Sequence, residues 1–220
     1  MQNFKQMREN MVDCQIHPMG VASEDILDAF ASVPREAFVP ENLQSVAYCD
    51  EDIEVCEGRY LLEPSVMARM LQYAKPASDD VALTIGSGAG YTAALLSKIV
   101  STVVSLEEDP ALIEKSQAVW DEYSFCNIVG LSGVLTEGAP KNAPYSLIII
   151  NGCVSTIPDS IKAQLAPNGR MLAIIQSKDE GIGRATLIEC NGKNEYSSRV
   201  LFDASTPYLS GFEPCDNFEF

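Results

Sequence analysis

The chain has 220 residues, 46% of them hydrophobic, which suits one domain with a sizeable buried core. Its 15 Lys and Arg against 31 Asp and Glu give a formal net charge of −16, which excludes nucleic acid and anionic membrane surfaces as expected partners, because both require cationic side chains. One histidine and seven cysteines without C-x-x-C spacing exclude a histidine-rich metal centre and a zinc or thioredoxin-type motif.

The predicted secondary structure changes near residue 75, from mostly helices to strands that alternate with helices. Residues 1–75 are predicted to be mostly helical, most clearly at Glu24–Val33 and Ser65–Ala74. From there to residue 175, short and almost entirely apolar strands alternate with helices, which predicts a doubly wound α/β sheet. The predicted strands are Val81–Ile85, Thr102–Leu106, Asn127–Leu131, Tyr145–Ile150 and Arg170–Ile175. The predicted helices between them are Tyr91–Val100, Pro110–Tyr123 and Pro158–Leu165.

The C-terminal part is predicted to be a hairpin followed by an ordered tail. Ala185–Cys190 and Ser197–Phe202 flank a turn at 191–194, where Asn-Gly supplies the positive φ angles of a tight reversal. Burial of a large apolar side chain stabilises by about 1.5–3 kcal/mol, so we expect the tail to pack as an extended segment on its own domain or on a partner subunit. The large apolar side chains of the tail, residues 203–220, are Tyr208, Leu209, Phe212, Phe218 and Phe220.

The most informative segment is Val81–Ala93, in which an apolar strand enters a glycine-rich turn that begins a helix. Glycines let a ligand approach the backbone closely, and the free N–H groups of a helix start face that ligand. A dinucleotide fingerprint has a small residue at the position of Tyr91, which is too large for it. The G-x-G-x-G spacing of Gly86, Gly88 and Gly90 instead fits the first motif of S-adenosylmethionine-dependent methyltransferases.

An acid follows this loop at the end of the next strand. Glu107 lies 21 residues after Gly86, and a carboxylate there can accept hydrogen bonds from both ribose hydroxyls of a nucleoside cofactor. The alternative is a structural glycine turn followed by a solvated acid. The order of strand, loop, helix, strand and acid favours a cofactor site.

Further segments are typical of one enzyme family. They are Val33–Pro40 (VPREAFVP), Ala47–Tyr48 with Asp50, Gly58–Ala68, Gly88–Ala93, Val104–Glu107, Ala143–Tyr145 and Leu165–Arg170. With them the chain resembles the protein-L-isoaspartate O-methyltransferase family over nearly its whole length, and a divergent bacterial branch of it in particular. The resemblance implies an α/β fold with a Rossmann-like seven-stranded methyltransferase sheet, mostly parallel with an antiparallel C-terminal strand, and an N-terminal helical extension over the ligand crevice.

We expect a single methyltransferase domain over residues 1–220 in a cytoplasmic protein. It divides into a helical N-terminal extension (1–75), a cofactor-binding core (76–180) and a C-terminal β hairpin with its tail (181–220). The N-terminus lacks the apolar core of a signal peptide, and no apolar run approaches the ~18 residues of a membrane span. The oligomeric state is left open.

The resemblance implies S-adenosylmethionine as cofactor and a protein or peptide carboxylate as methyl acceptor. The substrate-side residues that it implies are Tyr60, Leu62 and Glu63; no catalytic residue and no metal ligand is assigned. The predicted cofactor-binding residues are Gly86, Ser87, Gly88, Gly90, Tyr91, Glu107, Ser132, Gly133 and Asn151.

The chain departs from the family motifs at five positions. Arg59–Pro64 matches a Q-T-I-S-Q-P segment, so that Leu62 stands where the family has a serine beside the substrate carboxylate and Glu63 stands for a glutamine. At three further positions near the cofactor, the family usually has an acid and this chain does not. These positions are Thr84, Ser132 and Ser146. These changes predict weak recognition of isoaspartate and leave open a non-catalytic binding or interaction protein that retains the fold.

Deletion of Thr206–Phe220 is expected to lower the melting temperature by several degrees or to cause aggregation, because the apolar face under the tail becomes exposed. Thermal unfolding of the truncated and the full chain measures the effect. A truncated protein that melts like the parent and stays in solution would show that the tail is a solvated appendage.

Overall fold

The computed structural model of the chain describes residues 3–192 and 195–214. Its α-helices are α1 (Phe4–Met11), α2 (Glu24–Ser32), α3 (Pro64–Ala74), α4 (Tyr91–Ser97), α5 (Pro110–Glu122) and α6 (Asp159–Lys162). Its strands are β1 (Ile53–Cys56), β2 (Arg59–Leu61), β3 (Val81–Ile85), β4 (Thr102–Glu107), β5 (Ile128–Ser132), β6 (Tyr145–Val154), β7 (Leu165–Ile175), β8 (Arg184–Gly192) and β9 (Glu195–Asp203). Within these described ranges, no helix is both long and apolar enough to cross a membrane.

The main sheet has seven strands in the order β5-β4-β3-β6-β7-β8-β9. Neighbours from β5 to β7 are parallel, whereas β8 is antiparallel to both β7 and β9. This confirms the predicted fold class of a mostly parallel α/β sheet with an antiparallel hairpin at its C-terminal end. The strand order reverses at β3, which lies between β4 and β6, so a ligand crevice is expected at the carboxyl ends of these three strands.

The central strands are apolar because both faces of the sheet are covered. Along β6, Leu147 and Ile149 pack into one buried cluster, whereas Ile148 and Ile150 pack into another. Since successive strand side chains point to opposite faces, these two clusters lie on the two sides of the sheet. The first is covered by α1 to α5 and the second mainly by short turns, α6 and the tail.

Three sequence predictions were wrong in detail, one of them the helix Tyr91–Val100, since α4 ends at Ser97. Residues 53–61 form the antiparallel hairpin β1–β2 inside the region predicted to be mostly helical. Strands of three and four residues are too short to produce a recognisable alternation, so the pattern did not reveal them. The predicted helix Pro158–Leu165 is also too long, because α6 ends at Lys162 and Leu165 already pairs with Tyr145 at the beginning of β7.

The C-terminal hairpin and the described part of the tail agree with the prediction. Gly192 pairs with Glu195 across the predicted turn, of which residues 193 and 194 lie outside the described residues. In the tail, Leu209 and Phe212 are only 2% and 3% exposed and belong to the second cluster of the same chain. The predicted contributions of Phe218 and Phe220 also fall outside the described residues.

A buried ion pair joins the first helical region to the sheet. The Arg170 guanidinium on β7 pairs with the Asp80 carboxylate before β3, and its Nε donates to the Ala74 carbonyl at the end of α3 at 2.6 Å. Burial raises the pKa of Asp80, but hydrogen bonds from Arg170, the Ala77 N–H and Ser146 outweigh burial and hold the pKa of that carboxyl below its usual value.

Asp80→Asn is expected to lower the free energy of unfolding by about 2–3 kcal/mol at neutral pH, because it leaves the Arg170 charge largely buried and unpaired. The stabilisation from a depressed pKa is present above the ordinary value of 3.8 and is lost as the pH falls through the lower folded value. The difference between variant and parent in urea unfolding should therefore shrink below that pH. The exposed neighbour provides the control Asp79→Asn, and an equal loss in both variants would contradict the role of the pair.

Candidate active site

The candidate site is a loop at the carboxyl ends of β3 and β4. Gly86, Gly88 and Gly90 have φ angles of 67°, 55° and 85°, a left-handed region that favours glycine. The Gly86 N–H donates to the Leu106 carbonyl at 2.9 Å, which binds the loop to the end of β4. The predicted sequence of strand, glycine turn and helix is therefore present, with α4 beginning at Tyr91.

Glu107, the predicted ribose acid, is 1% exposed and already paired by the protein. The Nε of Arg59 on β2 donates to both carboxylate oxygens at 3.0 and 3.1 Å, and its Nη2 donates to Oε1 at 2.9 Å. The Gly88 N–H donates to Oε2 at 3.0 Å and the Glu108 N–H to Oε1 at 2.8 Å. The carboxylate thus joins the β1–β2 hairpin to the glycine loop.

Side chains of the chain itself cover the open faces of the loop glycines. A Cβ atom placed on Gly86 would lie 2.6 Å from Leu209 Cδ1, and one on Gly152 would lie 2.9 Å from Leu209 Cβ. A Cβ on Gly88 would lie 3.0 Å from Arg59 Cβ, and one on Gly90 would meet the Trp120 ring at 2.5 Å. The cradle that glycines leave open for a ligand is therefore filled from the tail, from β2 and from α5.

Three other predicted cofactor residues lie around the same edge. The Gly133 N–H donates to the Glu107 carbonyl at 3.0 Å, and Ser132 pairs with Glu107 across β4 and β5. The Asn151 amide is buried between β3 and α4, where it donates to the Ile85 carbonyl at 3.1 Å and accepts from the Thr92 hydroxyl at 2.6 Å. The structure therefore brings these residues to the loop, but the Asn151 side chain is engaged in holding β3, β6 and α4 together.

Ser87 and Tyr91 face away from the open side of the crevice. The Ser87 hydroxyl lies 3.1 Å from the Ser105 hydroxyl beneath the loop. The Tyr91 ring packs edge-on against Phe38 with ring centroids 5.4 Å apart, and the Arg35 guanidinium lies 5.0 Å from its centroid. Burial raises the pKa of Tyr91 to about 12 against the opposing charge of Arg35, so the phenol stays protonated at neutral pH. Both hydroxyl-bearing side chains thus pack against the protein.

The predicted substrate-side residues lie together between β2 and α3. Leu62 is buried, and Tyr60 pairs with Glu54 in the β1–β2 hairpin. The Glu63 N–H donates to Asp52 Oδ1 at 2.7 Å. Burial raises the pKa of the Glu63 carboxyl and outweighs the hydrogen bond from the Ser65 hydroxyl, and the charges of Asp50 and Asp52 raise it further. The segment therefore presents an acid where the family resemblance has an amide.

Neither a reactive thiol at Cys153 nor a cluster able to hold a metal ion is found in the described residues. Burial raises the pKa of the Cys153 thiol to about 11, so the reactive thiolate is scarce at neutral pH. No group of three His, Cys, Asp or Glu side chains able to hold a metal ion occurs in the described part of the chain.

Sequence reasoning missed the roles of Arg59 and Leu209. Arg59 lies 48 residues before its partner Glu107. Leu209 reaches the loop from the tail, so no local pattern could have revealed either contact.

Known proteins of one family resemble this chain over most of its length. A family model described as protein-L-isoaspartate(D-aspartate) O-methyltransferase matches residues 6–202. A protein-L-isoaspartate O-methyltransferase of Petrotoga mobilis is 32% identical over 91% of this chain and 95% of its own length. One of Herpetosiphon aurantiacus is 35% identical over 90% of this chain and 89% of its own length.

Solved structures share the fold. A protein-L-isoaspartate O-methyltransferase superposes with a TM-score of 0.83 at 25% identity, over 94% of this chain and 67% of that chain. A Plasmodium falciparum protein described as a putative member, solved with S-adenosyl-L-homocysteine, superposes with a TM-score of 0.78 at 18% identity, over 95% of this chain and 99% of that chain.

Glu107→Gln is expected to lower the free energy of unfolding by about 3–5 kcal/mol, because the buried Arg59 guanidinium loses its counter-charge. Urea unfolding measures the loss. The matched control is Glu108→Gln, whose side chain is 56% exposed and lies 3.9 Å from the same guanidinium. The double variant Arg59→Gln, Glu107→Gln should recover part of the stability. If Glu107→Gln were as stable as Glu108→Gln, the ion pair would not be the support of this site.

Proposed function

The chain belongs to the protein-L-isoaspartate(D-aspartate) O-methyltransferase family, and we propose that it transfers a methyl group from S-adenosylmethionine to a carboxylate of a protein or peptide. The observation that carries the proposal is the Glu107 carboxylate directly beside the glycine loop, with the Gly88 N–H donating to it at 3.0 Å. This is the crevice of the sheet in which such folds bind their ligands. The relatives give no support to the alternative of a non-catalytic protein that retains the fold.

S-adenosylmethionine does not fit this crevice in the conformation described. Leu209 covers Gly86 and Gly152, and Arg59 takes the Glu107 oxygens that a ribose would need. The proposed cofactor-binding residues can therefore contact S-adenosylmethionine only after the side chains of Leu209 and Arg59 move. That set comprises Gly86, Ser87, Gly88, Gly90, Tyr91, Glu107, Ser132, Gly133 and Asn151, with Ser87 and Tyr91 contributing backbone only.

The proposed reaction depends more on positioning the acceptor carboxylate than on acid or base groups of the protein. An acceptor carboxylate is ionised and nucleophilic at neutral pH, so it needs no base to activate it. The protein contributes by holding the acceptor in line and excluding water, which accounts for much of the barrier reduction in such transfers. The neutral Cys153 thiol and Tyr91 phenol are consistent with this requirement.

The proposed acceptor is a carboxylate on a protein or peptide, since net charge −16 disfavours nucleic acid. Incubation with S-adenosylmethionine labelled in the methyl group tests the reaction class on a mixture of aged proteins. A carboxyl methyl ester releases labelled methanol when the product is made alkaline, whereas a methylated nitrogen keeps the label. Release of methanol is the expected result. Label that stays bound in alkali, or no incorporation, would contradict the proposal.

Isoaspartyl peptides are expected to be poor substrates with a high KM. Leu62 offers no hydroxyl to the substrate carboxylate, and Glu63 with the neighbouring Asp52 repels it. Glu63→Gln should lower the KM for a synthetic isoaspartyl peptide, because it removes the charge with little change in shape. Methyl transfer to that peptide measures the effect, and Glu51→Gln at an exposed acid nearby is the matched control.

The advantage of Glu63→Gln over the parent should shrink as the pH is lowered. The pKa of Glu63 is raised, so the parent becomes neutral at this position at a higher pH than an ordinary glutamate. An advantage that is constant with pH, or equal in Glu51→Gln, would show that the charge of Glu63 does not limit substrate binding.

A further inference from the structure

The tail after β9 is docked on the crevice by backbone hydrogen bonds. The Cys153 N–H donates to the Pro207 carbonyl at 3.0 Å, and the Leu209 N–H donates to the Cys153 carbonyl at 2.8 Å. These two bonds make Tyr208 a parallel bridge partner of Cys153 at the end of β6. The Ser155 N–H donates to the Phe212 carbonyl at 2.8 Å. Residues 207–212, here called the plug segment, thus extend the sheet over its own ligand edge.

Leu209 is the part of the plug segment that enters the crevice. Its side chain is 2% exposed and lies against Gly86, the first glycine of the loop, and its Cβ lies against Gly152. Both glycines have positive φ, and the missing Cβ on each leaves room for a group to approach the backbone closely. In the conformation described, that group is a leucine of the chain itself.

The plug segment lies outside the named strands of the main sheet. It follows β9, which ends at Asp203, and is joined to it through the buried Ala204, the exposed Ser205 and the buried Thr206. Beside it, an open pocket of about 500 Å³ separates the tail from the β1–β2 hairpin, with Arg59, Tyr208 and Glu213 among its lining residues. Movement of the segment away from β6 would join this pocket to the faces of Gly86 and Gly152.

We propose that the plug segment is an autoinhibitory element that competes with the methyl donor for the crevice. This inference rests on the proposed function, because it takes the donor site to be the glycine loop. A ligand that binds only the open state has its apparent affinity reduced by the fraction of molecules that are open. Undocking of residues 207–212 therefore sets how tightly the donor or its product binds.

The first test is calorimetric titration of the full chain with S-adenosylhomocysteine. Leu209→Ala removes the side chain that lies on Gly86 and weakens docking, so it should tighten binding by about tenfold or more. Leu201→Ala is the matched control, since it makes the same change at a half-buried leucine of β9 that packs on the first cluster. Melting of each variant confirms that it is folded.

The second test uses the unaltered protein and reads the position of the tail directly. Amide hydrogen exchange of a peptide covering 206–214 is compared with and without S-adenosylhomocysteine. The Leu209 N–H is bonded to Cys153 when the segment is docked, so ligand should accelerate exchange in this peptide. A peptide within β8 should be unchanged.

The outcomes separate this inference from the proposed function. Tighter binding by Leu209→Ala alone, with faster exchange in 206–214, supports competition. Equal affinity of Leu209→Ala and the parent, or slower exchange in 206–214 with ligand, overturns the plug while leaving carboxyl methylation intact. Absence of binding in both proteins also overturns it. Tighter binding without any methyl transfer supports the plug and contradicts the proposed activity instead.

Discussion

The buried carboxylate of Glu107 is the constraint on which the candidate site depends. A charge removed from water is stable only if it is paired and hydrogen-bonded, and here Arg59 and two backbone N–H groups satisfy that requirement. The same contacts fix the glycine loop to β4 and draw the β1–β2 hairpin over both. Glu107 therefore contributes both to the stability of the fold and to the candidate site. If Arg59 released the Glu107 carboxylate, it would also uncover part of the glycine loop.

The tail links the core to the crevice in a similar way. Leu209 and Phe212 belong to the second buried cluster, which otherwise has only short elements over it. Leu209 also lies on the faces of Gly86 and Gly152. One side chain thus stabilises the fold and fills the place of a ligand, so any ligand of this crevice must offset the apolar burial that the tail loses.

Acidic side chains also lie together on the proposed substrate side of the crevice. Glu63 is partly buried beside Asp52, and its pKa is raised mainly by that burial. A carboxylate in such a place favours neutral or cationic neighbours over another anion. This chain therefore combines the fold of its family with an acidic pair at the proposed acceptor side.

The sequence by itself determined the fold class, β3 with its glycine turn, and the acid at the end of β4, because these depend on local patterns of apolar and glycine residues. It also determined the family, through motifs spread over the chain. Only the tertiary structure decided that Arg59 pairs with Glu107 and that Leu209 lies on Gly86, since these residues are joined by folding across long stretches of chain. The sequence did not reveal the β1–β2 hairpin for a related reason. Its strands are too short to show a periodic pattern, and the hairpin is held in place by the ion pair between Arg59 and Glu107.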